Sequence, residues 1–230
     1  DLRAGGGGHG TIGGRVFMKH PHGPIFLLRH GQTELDPVFC YTGQREVPLG
    51  RDGRDQARHW GEVLRAAGIA AVYASPLGRC LDTAQIIGQV LNQPVHAAAE
   101  LKEIALGEWE GLSKAAVKER YPGAYEARGE DMAGFRPPGG ESFSDLLERV
   151  RPFALSCRQS RKPLLAITHA GVIRVLSCWA AGTPLGRLFD YRPRPAAMTV
   201  IGFGKHGPVL RARNVLPGDF LKKQEQLTEE

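Results

Sequence analysis

Short continuous runs of apolar residues mark three strands along the chain, at residues 25–28, 71–74 and 164–168. Runs of this length, bounded by polar or turn-forming residues, are typical of strands buried on both faces of a sheet. A further pair of apolar runs, at 198–203 and 209–213, flanks a turn rich in Gly and predicts two closing strands.

Between the strands, apolar residues recur at intervals of three and four, which is the spacing of an amphipathic helix. This spacing predicts helices over residues 51–67, 76–91, 113–120, 141–159 and 172–181. Residues 100–140 carry several Gly and Pro residues, and within them only 113–120 is predicted to be helical.

The alternation of strands and helices predicts a single α/β domain with a mainly parallel sheet. We assign this domain to residues 25–215 and interpret residues 216–230 as a polar C-terminal tail. Residues 1–24 are rich in Gly and are expected to form a flexible leader, either a natural extension or an artificial addition.

Composition narrows the functional classes. Apolar residues make up 42% of the 230-residue chain, and no stretch reaches the roughly 20 apolar residues of a membrane-spanning helix. The net charge of +6 admits anionic partners, but the basic residues are scattered and aromatics are only 7%, which argues against nucleic acid. Four widely spaced cysteines without a CxxC pair exclude a zinc ribbon and suggest reduced thiols in the cytoplasm.

Basic and imidazole side chains follow all three predicted inner strands. Arg29 and His30 follow the first strand, Arg79 lies just after the second, and His169 follows the third. Ligands of parallel α/β sheets bind beyond the carboxyl ends of the strands. Guanidinium forks match phosphate oxygens, and a neutral imidazole is a competent nucleophile at pH 7. The pattern therefore favours a phosphate site able to transfer phosphoryl groups without a metal, although a single Arg–His pair at a strand end is usually structural.

Five motifs, taken in order, resemble the histidine phosphatase superfamily in its phosphoglycerate mutase-like branch. They are residues 27–33 (LLRHGQT), 75–84 (SPLGRCLDTA), 101–111 (LKEIALGEWEG), 139–142 (GGES) and 168–174 (THAGVIR). The GEWEG segment is most similar to the ribazole phosphatases and the broad-specificity phosphatases. The resemblance implies a three-layer α/β/α sandwich and an enzyme that needs no metal or organic cofactor.

The resemblance also implies roles for individual residues. His30 would be the nucleophile that becomes phosphorylated, and Glu103 the general acid for the leaving oxygen. The phosphate pocket would be completed by Arg29, Arg79 and His169. Further phosphate or substrate contacts would come from Thr33, Asp36, Thr42, Gly43 and Ala170.

Asp36 departs from the family, which commonly has Asn at this position. A carboxylate cannot donate a hydrogen bond to phosphate and repels it. Asp36 can turn away and pair with an arginine, be protonated, or select a substrate that has its own donor; we expect the first. Unchanged phosphate affinity and substrate ranking in Asp36→Asn would support that expectation, and a marked gain would contradict it.

The proposed chemistry sets requirements on two titratable groups. His30 must be neutral, with one ring nitrogen donating to a backbone carbonyl, and nearby arginines would lower its pKa. Glu103 must carry a proton, and an apolar wall of Ile104, Leu106 and Trp109 would raise its pKa. Trp109 is expected at the pocket mouth, with Phe135 and Arg136 as weaker candidates for a covering loop.

Four functional hypotheses remain at this point. The first is hydrolysis of a small phosphorylated metabolite, favoured by GEWEG and by the short segment between Glu103 and His169. The others are a cofactor-dependent phosphoglycerate mutase, a phosphate-binding module without turnover, and a protein-phosphohistidine phosphatase. No nucleic acid or membrane partner is expected, and the sequence leaves a homodimer open.

Overall fold

A six-stranded sheet forms the centre of the protein in a computed structural model that describes residues 22–34 and 40–229. The strands are β1 (Ile25–Arg29), β2 (Ala71–Ala74), β3 (Val95–Ala97), β4 (Leu164–Thr168), β5 (Met198–Gly204) and β6 (Gly207–Val215). Their order is β3-β2-β4-β1-β5-β6. The three pairs among β3, β2, β4 and β1 are parallel. The pairs β1–β5 and β5–β6 are antiparallel, so the sheet is mainly parallel as predicted.

Helices cover both faces of this sheet. They are α1 (Arg51–Leu64), α2 (Gly78–Leu91), α3 (Lys114–Arg120), α4 (Ala124–Glu130), α5 (Phe143–Cys157), α6 (Ala170–Ala181) and α7 (Pro217–Glu229). Residues of β1 alternate between two cores: Ile25 and Leu27 pack with α5 and α6, while Phe26 and Leu28 pack with α1, α2 and α7. This alternation follows from the two-residue period of a strand and confirms the three-layer α/β/α architecture.

The central pair of strands brings two distant motifs together. In the β1–β4 register, Arg29 lies opposite Thr168. The pairing continues one residue further, since the backbone N–H of His30 donates to the Thr168 carbonyl at 3.0 Å. The residues that follow both strands are therefore neighbours at one edge of the sheet.

Three elements differ from the sequence-based expectation. A short strand, β3, and a two-turn helix, α4, were not predicted. The residues interpreted as a polar tail contain helix α7. Helix α7 is anchored by Phe220, which is fully buried and contacts the rings of Trp60 and Phe26 edge-on, at centroid distances of 5.8 and 5.5 Å.

Two further expectations concern Asp36 and the Gly-rich leader. Asp36 and residues 1–21 of the leader lie outside the described residues. Within the part that is described, no helix is long and apolar enough to cross a membrane.

Candidate active site

His30 directly follows β1 and is 7% exposed. Its Nδ1 lies 2.8 Å from the carbonyl oxygen of Gly31. A carbonyl can only accept, so Nδ1 carries the proton and Nε2 is the unprotonated nitrogen. Burial, followed by the charges of Arg29 and Arg79, lowers the pKa of His30 from 6.5 to about 3. The imidazole is therefore neutral near pH 7, and burial contributes more to this than the arginines that the sequence emphasised.

His169 lies beside His30, at the point where β4 passes into α6. The two rings are 5.3 Å apart between centroids. His169 is fully buried, and its Nε2 is within hydrogen-bond distance of Ser75 Oγ at 2.8 Å and near Cys80 Sγ at 3.3 Å. Burial and then the Arg79 charge lower the pKa of His169 well below its usual range. A second neutral imidazole thus lies directly behind the first.

Two guanidiniums flank His30 and are held by backbone carbonyls. Arg79 donates from Nη1 to the Arg45 carbonyl at 2.8 Å and from Nη2 to the Gly43 carbonyl at 2.9 Å. Arg29 donates from Nη1 to the Pro193 carbonyl at 2.9 Å. The buried Nε of Arg29 has no hydrogen-bond partner among the described residues. Since neutral carbonyls do not compensate a full positive charge, the pair leaves positive potential available to an anion.

The carboxyl of Glu103 is positioned by backbone donors from two segments. Its Oε1 accepts the N–H of Ile104 at 2.9 Å and its Oε2 accepts the N–H of Gly171 at 3.1 Å. Gly171 lies in the first turn of α6, where a Cβ atom would overlap Oε1 of Glu103. The absence of a side chain at Gly171 is therefore what allows α6 and Glu103 to approach.

The predicted residues converge on one cavity of about 480 Å³. Its lining includes Arg29, His30, Thr33, Thr42, Gly43, Arg79, Glu103 and Ala170. His169 does not line the cavity but lies behind it, and Asp36 falls outside the described residues. In the described part of the chain, no group of three or more His, Cys, Asp or Glu side chains is arranged to hold a metal ion.

Three expectations about the cavity entrance were wrong. Trp109 is fully buried in the core instead of lining the mouth. Phe135 packs on Trp109 with ring centroids 5.4 Å apart, and Arg136 forms an exposed ion pair with Asp145 at 2.5 Å. Residues 135–140 contain several Gly and Pro residues and show no helical or strand periodicity. The sequence therefore did not indicate which aromatic side chains of this region point into the core.

Other lining residues were missed by the sequence analysis. Arg128 projects from α4, and Arg174 projects from α6 one turn after Ala170. Tyr41, Phe143 and Phe189 provide aromatic surface beside them. The four-residue spacing between Ala170 and Arg174 could have indicated Arg174 as a cavity residue. No comparable sequence signal marked Arg128.

A family model, curated proteins and solved structures all match this chain. The model of the histidine phosphatase superfamily (branch 1) matches residues 25–216. The glucosyl-3-phosphoglycerate phosphatase of Mycolicibacterium vanbaalenii is 35% identical over 170 residues, covering 70% of this chain and 75% of that protein. The adenosylcobalamin/alpha-ribazole phosphatase of Salmonella typhimurium is 28% identical over 192 residues, covering 83% and 95%. A solved mycobacterial glucosyl-3-phosphoglycerate phosphatase in complex with VO3 has a TM-score of 0.74 at 30% identity, covering 84% of this chain and 99% of that one. The chain belongs to the histidine phosphatase superfamily, branch 1.

Proposed function

We propose that the protein hydrolyses a small organic phosphomonoester through a phosphohistidine intermediate on His30. The observation that carries this proposal is the neutral imidazole of His30, which lines the cavity with its Nδ1 bonded to a carbonyl. Its Nε2 makes no hydrogen bond to any described residue, so its lone pair is available for attack on phosphorus. The relatives support the proposal, since those reported above are named phosphatases.

The first step transfers the phosphoryl group to the protein. Nε2 of His30 attacks phosphorus, the bond from phosphorus to the ester oxygen breaks, and Glu103 donates a proton to that oxygen as the alcohol leaves. Arg29 and Arg79 stabilise the charge on the non-bridging oxygens. His169, packed against His30, adds a polar group on the same side of the site.

The second step returns His30 to its starting state. Water attacks the phosphorus of the phosphohistidine, Glu103 accepts a proton from that water, and the bond from phosphorus to Nε2 breaks to release inorganic phosphate. The acid of the first step thus becomes the base of the second. No oxidant, reductant or metal takes part in this scheme.

Turnover of p-nitrophenyl phosphate in the presence of EDTA tests the proposal. We expect the wild-type protein to release p-nitrophenol and His30→Ala to lose this activity completely. His59→Ala removes an exposed histidine of α1 and provides the matched control. Activity like that of wild type in His30→Ala would overturn the mechanism, as would a complete dependence of wild-type turnover on added metal.

A further inference from the structure

Besides Arg29 and Arg79, the cavity wall contains three guanidiniums: that of the exposed Arg45 and those of Arg128 and Arg174. Arg128 and Arg174 are both half-buried in its wall. Neither forms a salt bridge with a carboxylate in the described part of the chain. Arginine charges withdrawn from water are costly unless an anion compensates them. Their presence without such a partner is unexplained by the hydrolytic residues alone.

Aromatic rings hold both guanidiniums by their faces. The guanidinium carbon of Arg128 lies 5.6 Å from the ring centre of Tyr41 and 5.7 Å from that of Phe143. That of Arg174 lies 4.7 Å from the ring centre of Phe189. Arg128 also donates a side-chain hydrogen bond to Tyr41, and the ring contacts leave the other N–H donors of the two guanidiniums for further partners. Among the described residues, one of these donors is used by a backbone group, since Nε of Arg174 donates to the Tyr191 carbonyl at 3.0 Å.

The two groups extend the positive surface away from His30. Arg174 shares the cavity wall with Arg29, Glu103 and Arg128 and interacts electrostatically with all three. The cavity wall carries four positive side chains besides the exposed Arg45, namely Arg29, Arg79, Arg128 and Arg174. The carboxyl of Glu103 lies in the same wall. The charges of Arg45 and Glu46, which are both exposed, cancel each other. A phosphate monoester carries at most two negative charges at pH 7. Such a phosphate balances two of these four positive charges, and because the first step requires a protonated Glu103, the other two remain without a counter-charge while the phosphate is bound.

We propose that Arg128 and Arg174 form a subsite for a second anionic group on the substrate, so that the preferred substrate is a phosphomonoester that also bears a carboxylate or a second phosphate. This inference rests on the proposed phosphatase function and specifies its substrate class. The aromatic rings of Tyr41, Phe143 and Phe189 would pack against the carbon skeleton that joins the two anions.

Two pairs of substrates separate the sources of the second charge. One pair is 3-phosphoglycerate and its methyl ester, and the other is propanediol bisphosphate and propanediol monophosphate. Within at least one pair, we expect kcat/KM to be about tenfold or more higher for the member with the second anion, because a charge-assisted hydrogen bond contributes at least this much. The pair that shows the preference identifies the anion as carboxylate or phosphate.

Variants at the subsite test the assignment to these residues. We expect Arg128→Gln and Arg174→Gln each to reduce the preference within the pair by about tenfold, mainly through KM, and Lys at either position to restore part of it. Arg120→Gln removes an exposed arginine of α3 outside the cavity and should leave the preference unchanged. Equal kcat/KM within both pairs, or a preference that survives in the double variant, would overturn the proposal.

Binding measured without turnover keeps the subsite separate from the phosphatase proposal. Calorimetric dissociation constants for the same four esters, measured on the His30→Ala protein, give the comparison even if the wild-type protein hydrolyses none of them. Tighter binding of the esters that carry the second anionic group supports the subsite if it is lost in the Arg128 and Arg174 variants. Equal binding of the esters with and without the second anionic group contradicts it, whatever the outcome with p-nitrophenyl phosphate.

Discussion

At the scale of the residue, the contact between Gly171 and the Glu103 carboxyl makes a sharp prediction. A Cβ atom at residue 171 would overlap Oε1 of Glu103, so Gly171→Ala should displace the carboxyl. We expect kcat for alkyl phosphates to fall by about tenfold or more, since small displacements of a catalytic group have effects of this size. Gly129→Ala is the matched control, because Gly129 lies in helix α4 with open space around it. Equal activities of the two variants would contradict the positioning role of Gly171.

Replacement of Glu103 itself should reveal its role through the leaving group. Glu103→Gln cannot donate a proton from a carboxyl, and a poor leaving group depends on that proton more than a good one. We expect a loss of about 100-fold or more with alkyl phosphates and a much smaller loss with p-nitrophenyl phosphate in the first step. Burst kinetics separate this step from hydrolysis of the phosphohistidine. An equal slowing of the first step for both kinds of ester would argue against an acid role.

At the scale of the element, Phe220 is the buried side chain among residues 217–223, the part of helix α7 whose side chains are described. Phe220 is fully buried between Trp60 and Phe26, whereas the neighbouring Leu221 is exposed. Phe220→Ala should lower the free energy of unfolding by about 3–5 kcal/mol, the usual cost of truncating a buried Phe. Leu221→Ala should change it by less than about 0.5 kcal/mol. Urea unfolding measures both, and similar values for the two variants would mean that α7 does not depend on Phe220.

The same helix shows where sequence patterns fall short. Long amphipathic segments such as α1 and α5 were predicted to within a few residues, because many apolar positions repeat at helical spacing. Helix α7 presents Phe220 as its buried anchor among mostly polar neighbours, so its sequence is that of a tail. Helix α4 has no buried residue at all. Periodicity cannot indicate α4, which buries no side chain, or the first seven residues of α7, of which only Phe220 is buried.

The site residues likewise fall into those that the sequence pattern predicted and those that it did not. His30 and His169 were predicted because each ends an apolar strand, and parallel strands place their carboxyl ends at one edge. Arg128 was not predicted, because its place in the cavity depends on how α4 folds over the sheet. The wrong expectation for Trp109 has the same origin. Residues attached to the sheet follow from local pattern, while those in the covering segment follow from tertiary packing.

At the scale of the whole molecule, the buried histidines link stability to pH. The pKa of His30 is about 3 in the folded protein against 6.5 for an unperturbed histidine, so below pH 6.5 the unfolded chain binds a proton that the folded protein does not. Stability must therefore fall as the pH decreases from about 6.5 towards 3, by about 1.4 kcal/mol per pH unit for this group. Burial shifts the pKa of His169 in the same direction and adds to the effect.

Unfolding free energies at pH 7 and pH 5 measure this linkage. For His30 alone we expect a loss of about 2 kcal/mol between these values. His30→Gln should therefore show a pH dependence that is shallower by about this amount, whatever its absolute stability. His59→Gln, which removes an exposed imidazole, provides the control. An identical slope in wild type and His30→Gln would contradict the burial of a neutral His30.

The cavity is assembled from two sources that could change independently over evolutionary time. Residues that would handle the phosphate follow hydrogen-bonded strands, where the β1–β4 pairing fixes them. Arg128 comes instead from α4, a short helix with no buried residue. A graft that replaces residues 114–130 with the equivalent stretch of another superfamily member should therefore remove the part of the substrate preference that depends on Arg128, keep the part that depends on Arg174 of α6, and spare the hydrolytic step. One wall of the cavity can then be rebuilt while the strand ends stay fixed.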